Sequence, residues 1–315
     1  MSRPLRIEFP GACYHITARG NFGQALFTDI EDAQKFLDLL IIEVGQHHWL
    51  CHSYCLVGDH YHLVIETPEP NLGRGMGRLN MRYSQWFGRL HQRSGHLFQG
   101  RYKAILFEKE RHLVEICRHV VNNPVRLDMV NRVDLWRWSS YRALASDDAW
   151  SDWLTTEFVL SDFGTDLDEA QAAWRTYVEE ATDTPSPWRN LRAGHYLGSE
   201  AFLNSLKPYI EGQSLDQVAS AFANPTRPTA DRVQGAVAAA ASVPPELVLD
   251  RRQAPDAFRA TVYLLRRASN LPLKQVAHMG DVSQGRVSQI QRQIEESGGL
   301  SQAFPWAADL EALVG

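Results

Sequence analysis

Residues 12–19 (Ala-Cys-Tyr-His-Ile-Thr-Ala-Arg) alternate with period two and end at Gly20-Asn21, which reads as a strand running into a turn. From Thr28-Asp29 the period changes. A cap with Glu31 and Asp32 behind it is followed by Ala33, Phe36, Leu37, Leu40, Ile41 and Val44 at helical spacing. Two β-prone runs, from Trp49 to Val57 and from His60 to Glu66, flank Gly58-Asp59 and predict a hairpin. A second helix is expected from about Leu72 to His91 and a strand over 97–107. A third helix then runs from about Glu110 to Asn122 and stops at Pro124. The order strand, helix, strand, strand, helix, strand, helix is that of a ferredoxin-like split βαβ unit with an extra helix, so the expected class is α+β.

The second half reads differently. From Ala145 to Pro187 it turns acidic, with Trp150, Trp153 and Trp174, and Thr182-Asp183-Thr184-Pro185-Ser186-Pro187 is a linker candidate; residues 224–230 mark another boundary. Residues 231–296 read as all-helical: Leu271 to Ala277 starts a helix broken at Gly280-Asp281, and Ser283 caps another through Glu295. A helix, a short turn with glycine and a capped helix fit a helix-turn-helix. Ser283, Gln284, Arg286, Ser288, Gln289 and Arg292 suit base edges and phosphates; a bundle used for packing or dimerisation is the bland alternative. The expected division is 1–145 (α+β), 146–230 (helical linker region), 231–300 (helix-turn-helix) and 301–315 (tail).

Composition adds three points. With 315 residues, 44% hydrophobic and 22% charged, the chain is long enough for two ordinary globular domains. No apolar run is long enough to span a membrane, no signal peptide is visible, and four scattered cysteines suggest reduced thiols, so a cytoplasmic protein is expected. The net charge of −5 hides a basic block: residues 72–126 hold eleven Lys/Arg against three Glu. Within it Arg74, Arg78 and Arg82 repeat every four residues as one helix stripe, among Gly73, Gly75 and Gly77, whose weak helix propensity suggests close backbone approach to something. Such a block on an acidic chain points to nucleic acid, or else to a solvated helix face.

The candidate chemistry sits in the hairpin and the third helix. In a strand His60 and His62 point the same way with Tyr61 opposite, so the two imidazoles could hold a divalent metal, or be hairpin histidines satisfied by water or backbone. On the third helix Leu113, Ile116, Cys117 and Val120 form an apolar stripe; His112, Glu115, His119 and Asn123 form a polar one, facing either a cleft above the sheet or water. Cys51 and Cys55 read as core thiols, with zinc ligation the lesser reading.

Four separated segments carry a resemblance: Tyr14-His15-Ile16-Thr17-Ala18-Arg19-Gly20-Asn21, Gly58-Asp59-His60-Tyr61-His62, Gly95 to Ala104, and Asn123-Pro124-Val125-Arg126. In order and spacing, over about residues 1–145, they resemble the REP-associated tyrosine transposases, relatives of the HUH endonucleases. The resemblance implies cleavage and rejoining of single-stranded or hairpin repeat DNA, with His60, His62 and Asn123 as ligands of Mg²⁺ or Mn²⁺. That donor set is chemically apt, because two imidazoles and an amide oxygen leave positions for phosphate oxygens. The basic block supplies the expected DNA contacts, Arg74, Arg78, Arg82, Arg101 and Lys103. The departure is at the nucleophile: Arg118-His119-Val120-Val121-Asn122-Asn123 has histidine where the family has tyrosine. His119 could attack phosphorus, act as a base, serve as a third histidine ligand, or do nothing. Tyr83 and Tyr102 are the substitute nucleophiles to test. The helical module resembles the DNA-binding domain of the bacterial replication initiator, which implies duplex DNA as a second contact. Two functional readings stand: a metal-dependent single-strand nuclease or transposase, and a non-catalytic DNA-binding factor derived from one. Association with the nucleoid follows from either, and a homodimer is left open.

Overall fold

Every strand in the first part of the chain finds an antiparallel partner. In this computed structural model, which describes residues 7–146, 152–180, 186–192, 194–211, 227–269 and 271–313, β1 (Ala12–Arg19) is followed by α1 (Ile30–His47) and the hairpin β2 (Leu50–Val57) and β3 (His60–Thr67). Then come α2 (Leu72–Leu90), β4 (Lys103–Phe107), α3 (Lys109–Val121) and a short α4 (Asn123–Arg126). Further on lie α5 (Leu167–Glu179) and a two-residue β5 (Tyr196–Leu197). The sheet order is β2-β3-β1-β4-β5, with β5 parallel to β4 and the other pairs antiparallel. The expected linker 182–187, boundary 224–230 and Trp150 lie wholly or partly outside the described residues.

Residues 6–189 with 195–202 make one compact unit, and 203–315 with 190–194 the other. The first is α+β and the second is built from helices, so the α+β class holds.

Strand alternation divides the first unit. Tyr61 is fully buried, packs 4.7 Å from the Phe36 ring of α1 and donates to Asn80 Oδ1 of α2 at 2.8 Å, so α1 and α2 cover that face. His60, His62 and Glu66 face the other way, toward α3 and α4. Asp29 caps α1 by accepting from Asp32 N at 2.9 Å. One of the three early α2 glycines has a clear steric duty: a Cβ on Gly75 would lie 2.2 Å from the Trp49 ring.

The strand expected over 97–107 begins only at Lys103. The earlier residues bond instead to the end of β1 and the turn after it: Leu97 O accepts from Asn21 N at 2.8 Å and Gln99 N donates to Arg19 O at 2.9 Å. A bulge in β2 between Cys51 and Ser53 turns His52 inward, and Cys51 and Cys55 are buried thiols of the core.

In the helical unit α6 (Ala230–Ala241), α7 (Pro255–Arg267), α8 (Leu273–Met279) and α9 (Gln284–Glu296) share a core that includes Val237, Phe258, Leu264, Val276, Val287 and Ile290. Two residues of the α8–α9 turn are constrained: a Cβ on Gly280 would press the Phe258 ring at 3.0 Å, and Asp281 takes a left-handed φ of 46°. Ser283 Oγ then accepts from Arg286 N at 3.2 Å and caps α9. Among the described residues no helix is long and apolar enough to cross a membrane.

Candidate metal and nucleic-acid site

Three polar side chains meet where β3 faces the start of α4. Asn123 Nδ2 lies 3.2 Å from His60 Nε2 and 3.0 Å from His62 Nε2. The amide supplies two N–H donors, so both Nε2 atoms present lone pairs to the same point. Ligands at adjacent corners of an octahedron with bonds of about 2.1 Å stand about 3.0 Å apart. Rotating the amide by half a turn puts Oδ1 in the place of Nδ2. The separations of the amide from both imidazoles therefore match an edge of such a coordination sphere.

Outer partners fix both rings. His60 Nδ1 lies 2.6 Å from Asp59 Oδ1, and a carboxylate can only accept, so the proton is on Nδ1. Arg19 donates from Nε to Asp59 Oδ2 at 2.8 Å. Burial alone would raise the Asp59 carboxyl, but the hydrogen bonds from His60 and Arg19 hold it below the usual range. His62 Nδ1 lies 2.9 Å from Nε2 of buried His15, whose ring stacks on it at 5.2 Å. With Nε2 of His62 accepting from Asn123, that bond runs from His62 Nδ1–H to His15. Burial, reinforced by the neighbouring imidazoles, pushes His62 well below its ordinary value; burial, then His119 and Lys103, does the same to His15. Neutral imidazole is the form a metal needs.

His119 lies beside this cluster, with its ring centroid 6.4 Å from that of His15. Its Nδ1 is 2.8 Å from Arg126 Nη1, and its Nε2 accepts from the indole N–H of Trp188 at 3.1 Å. The Trp188 ring stacks on His15 at 4.6 Å. A neutral imidazole has one acceptor nitrogen, yet both nitrogens of His119 face donors. Burial, with the Arg126 charge second, pushes its pKa down to about 3. In this state His119 is a weak base with its lone pair already engaged.

The tyrosines proposed as substitutes lie elsewhere. Tyr83 is fully buried on α2 and donates to Leu26 O, and Tyr102 is buried on the α1–α2 side near Tyr14 and Tyr61.

The arginine row is not brought to the histidines. It lies on α2, across the sheet from them. Arg82 Nη1 sits 3.2 Å and Arg78 Nε 3.6 Å from the buried carboxylate of Glu43 on α1, while Arg74 is exposed. The reason is alternation: α2 covers the Tyr61 face, and the row leans back on a charge that α1 buries. Lys103 does reach the histidine side, since it and His62 both pair with Thr17 of β1. Burial lowers its pKa. Arg101 is exposed in the bend just before β4.

A second polar cluster, absent from the motif reading, lies farther along the same face. Ligand atoms of Cys13, His52 and Glu66 lie within 4.8 Å of one another, a spacing a metal could use. Glu66 Oε2 already accepts from Lys109 Nζ at 2.6 Å and pairs with His52 Nε2 at 3.0 Å. Burial would raise the Glu66 carboxyl, yet those two bonds hold it low. Lys109 thus already supplies positive charge to the carboxylate of that group.

In the helical unit Ser283, Gln284, Arg286, Ser288, Gln289 and Arg292 are all exposed, while Val287, Ile290 and Ile294 of α9 are buried. The polar face of α9 is turned to solvent.

Local periodicity did not single out His15, Asp59 with Arg19, or Trp188 as site residues. His15 carried a usable signal, as a histidine at an inward position of β1, but which strand would lie beside it is set by tertiary pairing.

No protein-family model matches the chain, and no curated protein does. Among solved structures, that of a REP-associated tyrosine transposase bound to a REP hairpin is similar at 15% identity and a TM-score of 0.40; the match covers 44% of this chain and 82% of that one.

Proposed function

We propose that this protein is a DNA-binding factor of the HUH type. Its α+β unit holds single-stranded or hairpin DNA against a divalent cation, Mg²⁺ or Mn²⁺, carried by His60, His62 and Asn123. The observation that carries this reading is the meeting of the two Nε2 atoms and one amide within 3.2 Å, on the histidine side of the sheet. The sequence resemblance supplies the DNA. The bound cation would neutralise phosphate charge. Lys103, on the same side, adds a positive charge for the strand, and Asp59 and His15 keep the two imidazoles in the ligating tautomer. Exposed Arg286, Gln289 and Arg292 give the helical unit the side chains for adjoining duplex, and a tether between two modest contacts raises the effective concentration of the second.

A covalent phosphotyrosine step is not part of the proposal, because histidine stands at the nucleophile position and its lone pair is engaged. Metal-dependent hydrolysis is the second reading. Three ligands leave coordination positions open, which favours it. The experiment is a gel assay with labelled hairpin DNA and Mg²⁺ or Mn²⁺, with mass spectrometry for a protein–DNA adduct. Metal-strengthened binding lost in His60→Ala supports the proposal. Cleavage lost in His60→Ala but kept in His119→Ala establishes hydrolysis without His119. A mapped adduct, or binding indifferent to metal and to His60→Ala, overturns the proposal.

A further inference from the structure

A cavity in the α+β unit borders the site above and shares only Arg126 with it. It measures about 440 Å³ and lies where α4, the 131–134 segment and the end of α5 come together. Three valines, Val125, Val133 and Val178, give it apolar walls, with Val133 and Val178 buried. Its polar groups are two guanidiniums and two carboxylates, Arg126, Arg132, Asp134 and Glu179, with the amides of Asn122 and Asn131.

The charges sort themselves. Arg132 and Asp134 make a two-pronged pair, Nε to Oδ1 at 3.0 Å and Nη2 to Oδ2 at 2.7 Å, and so satisfy one another. Asn122 donates to Val178 O at 3.0 Å. Arg126 gives one nitrogen to His119, and a guanidinium has five N–H donors in all, so it retains others. Glu179, also in the lining, is exposed. A balanced set of charges does not call for a phosphate. Apolar walls lined as well by a guanidinium with donors to spare and by a carboxylate suit a flat, neutral ring with polar edges. The volume lies in the lower part of the range for small-molecule sites.

We propose that this cavity takes an unpaired nucleobase, and that guanine is the base it prefers. A carboxylate accepts two adjacent protons from guanine, ring N1–H and amino N2–H, while a guanidinium donates to O6 and N7. Adenine and cytosine offer one amino group, and thymine none. Arg126 is shared by the cavity and His119, so a base held here places its strand beside the histidine cluster. The inference rests on the reading of this unit as a single-strand DNA binder and adds its sequence preference.

The test uses the full chain. Guanosine, adenosine, cytidine and thymidine are titrated by ligand-observed NMR, alongside fluorescent single-stranded oligonucleotides with and without one guanine. Glu179→Gln exchanges the acceptor at an exposed position, and Val133→Trp fills the cavity. Guanosine is expected to bind at least about tenfold better than the other three. Glu179→Gln should erase that preference and Val133→Trp the binding, while His60→Ala leaves nucleoside binding unchanged. Equal binding of the four nucleosides with no guanine effect in the oligonucleotides overturns the proposal, as does a guanine preference untouched by Glu179→Gln. A chain that keeps Glu179-dependent guanosine binding but binds no single strand retains the pocket and loses the function proposed above. Metal-dependent strand binding without base preference does the reverse.

Discussion

The two faces of one sheet in the α+β unit carry opposite kinds of residue. On the face under α1 and α2, the Phe36 ring packs against Tyr61 and Tyr83 at ring separations of 4.7 and 5.2 Å, and Tyr83 donates to Leu26 O. On the face under α3 and α4, the same strands present His15, His62 and Glu66, and a buried nitrogen, His15 Nδ1, has no hydrogen-bond partner among the described residues. Adjacent residues 60, 61 and 62 alternate between these environments. A single strand thus contributes to the core with one residue and to the candidate site with the next, so the rigidity of the first positions the second.

The largest effect should come from the apolar face. Phe36→Ala should lower the free energy of unfolding by about 3–5 kcal/mol, read from urea melts, while the folded fraction keeps its affinity for Mn²⁺. If metal binding falls with stability, the faces are not separable.

From the polar face, His62→Ala should weaken Mn²⁺ binding by more than about 100-fold, beyond the effect of losing an outer partner, with a small change in melting. Isothermal titration checks it, and unchanged affinity would remove His62 from the ligand set.

A third prediction concerns pH. His15, His62 and His119 are held below their ordinary value in the fold, first of all by burial, whereas the unfolded chain protonates them near pH 6.5. Below that pH the unfolded chain takes up protons that the folded chain refuses. The stability contribution is therefore whole above about pH 7 and is lost as pH falls, for His119 down to about 3. Each imidazole adds a slope of up to about 1.4 kcal/mol per pH unit. With chelator present, His119→Asn should flatten the pH 6.5–4.5 dependence by one proton relative to the parent chain.

Smaller effects sharpen the picture. Asp59→Ala frees the His60 ring and should cost about tenfold in Mn²⁺ affinity with no loss of the apolar packing. In the helical unit Ser283→Ala removes a cap and should cost about 1 kcal/mol in melting, leaving metal binding untouched.

Much of this arrangement was legible where the signal was local. Strand 12–19, the Asp29 cap and the bounds of α2 and α3 follow from short-range periodicity, and the residues drawn together at the site, His60, His62 and Asn123, sit in motifs that the chain shows plainly. What was not legible depended on tertiary neighbours. The basic period of Arg74, Arg78 and Arg82 defines a stripe but not what it faces, and buried Glu43 on another helix decided that. Residues 97–102 look like strand, yet Leu97 and Gln99 bond to the end of β1 and the turn after it, some eighty positions earlier. His15 belongs to the site only because β1 lies beside β3.

Strand β5 has a practical consequence for anyone cutting the chain. Leu106 N and Glu108 N of the β4 region donate at 2.8 Å to His195 O and Leu197 O, so the sheet's outer border is closed by residues about seventy positions past Arg126, the end of the last family motif. A fragment ending at residue 145 would carry the histidine cluster but bare that border, a ready template for another copy's backbone. Such fragments should self-associate through Lys103–Phe107 and come out of purification as oligomers, whereas fragments reaching residue 202 should not.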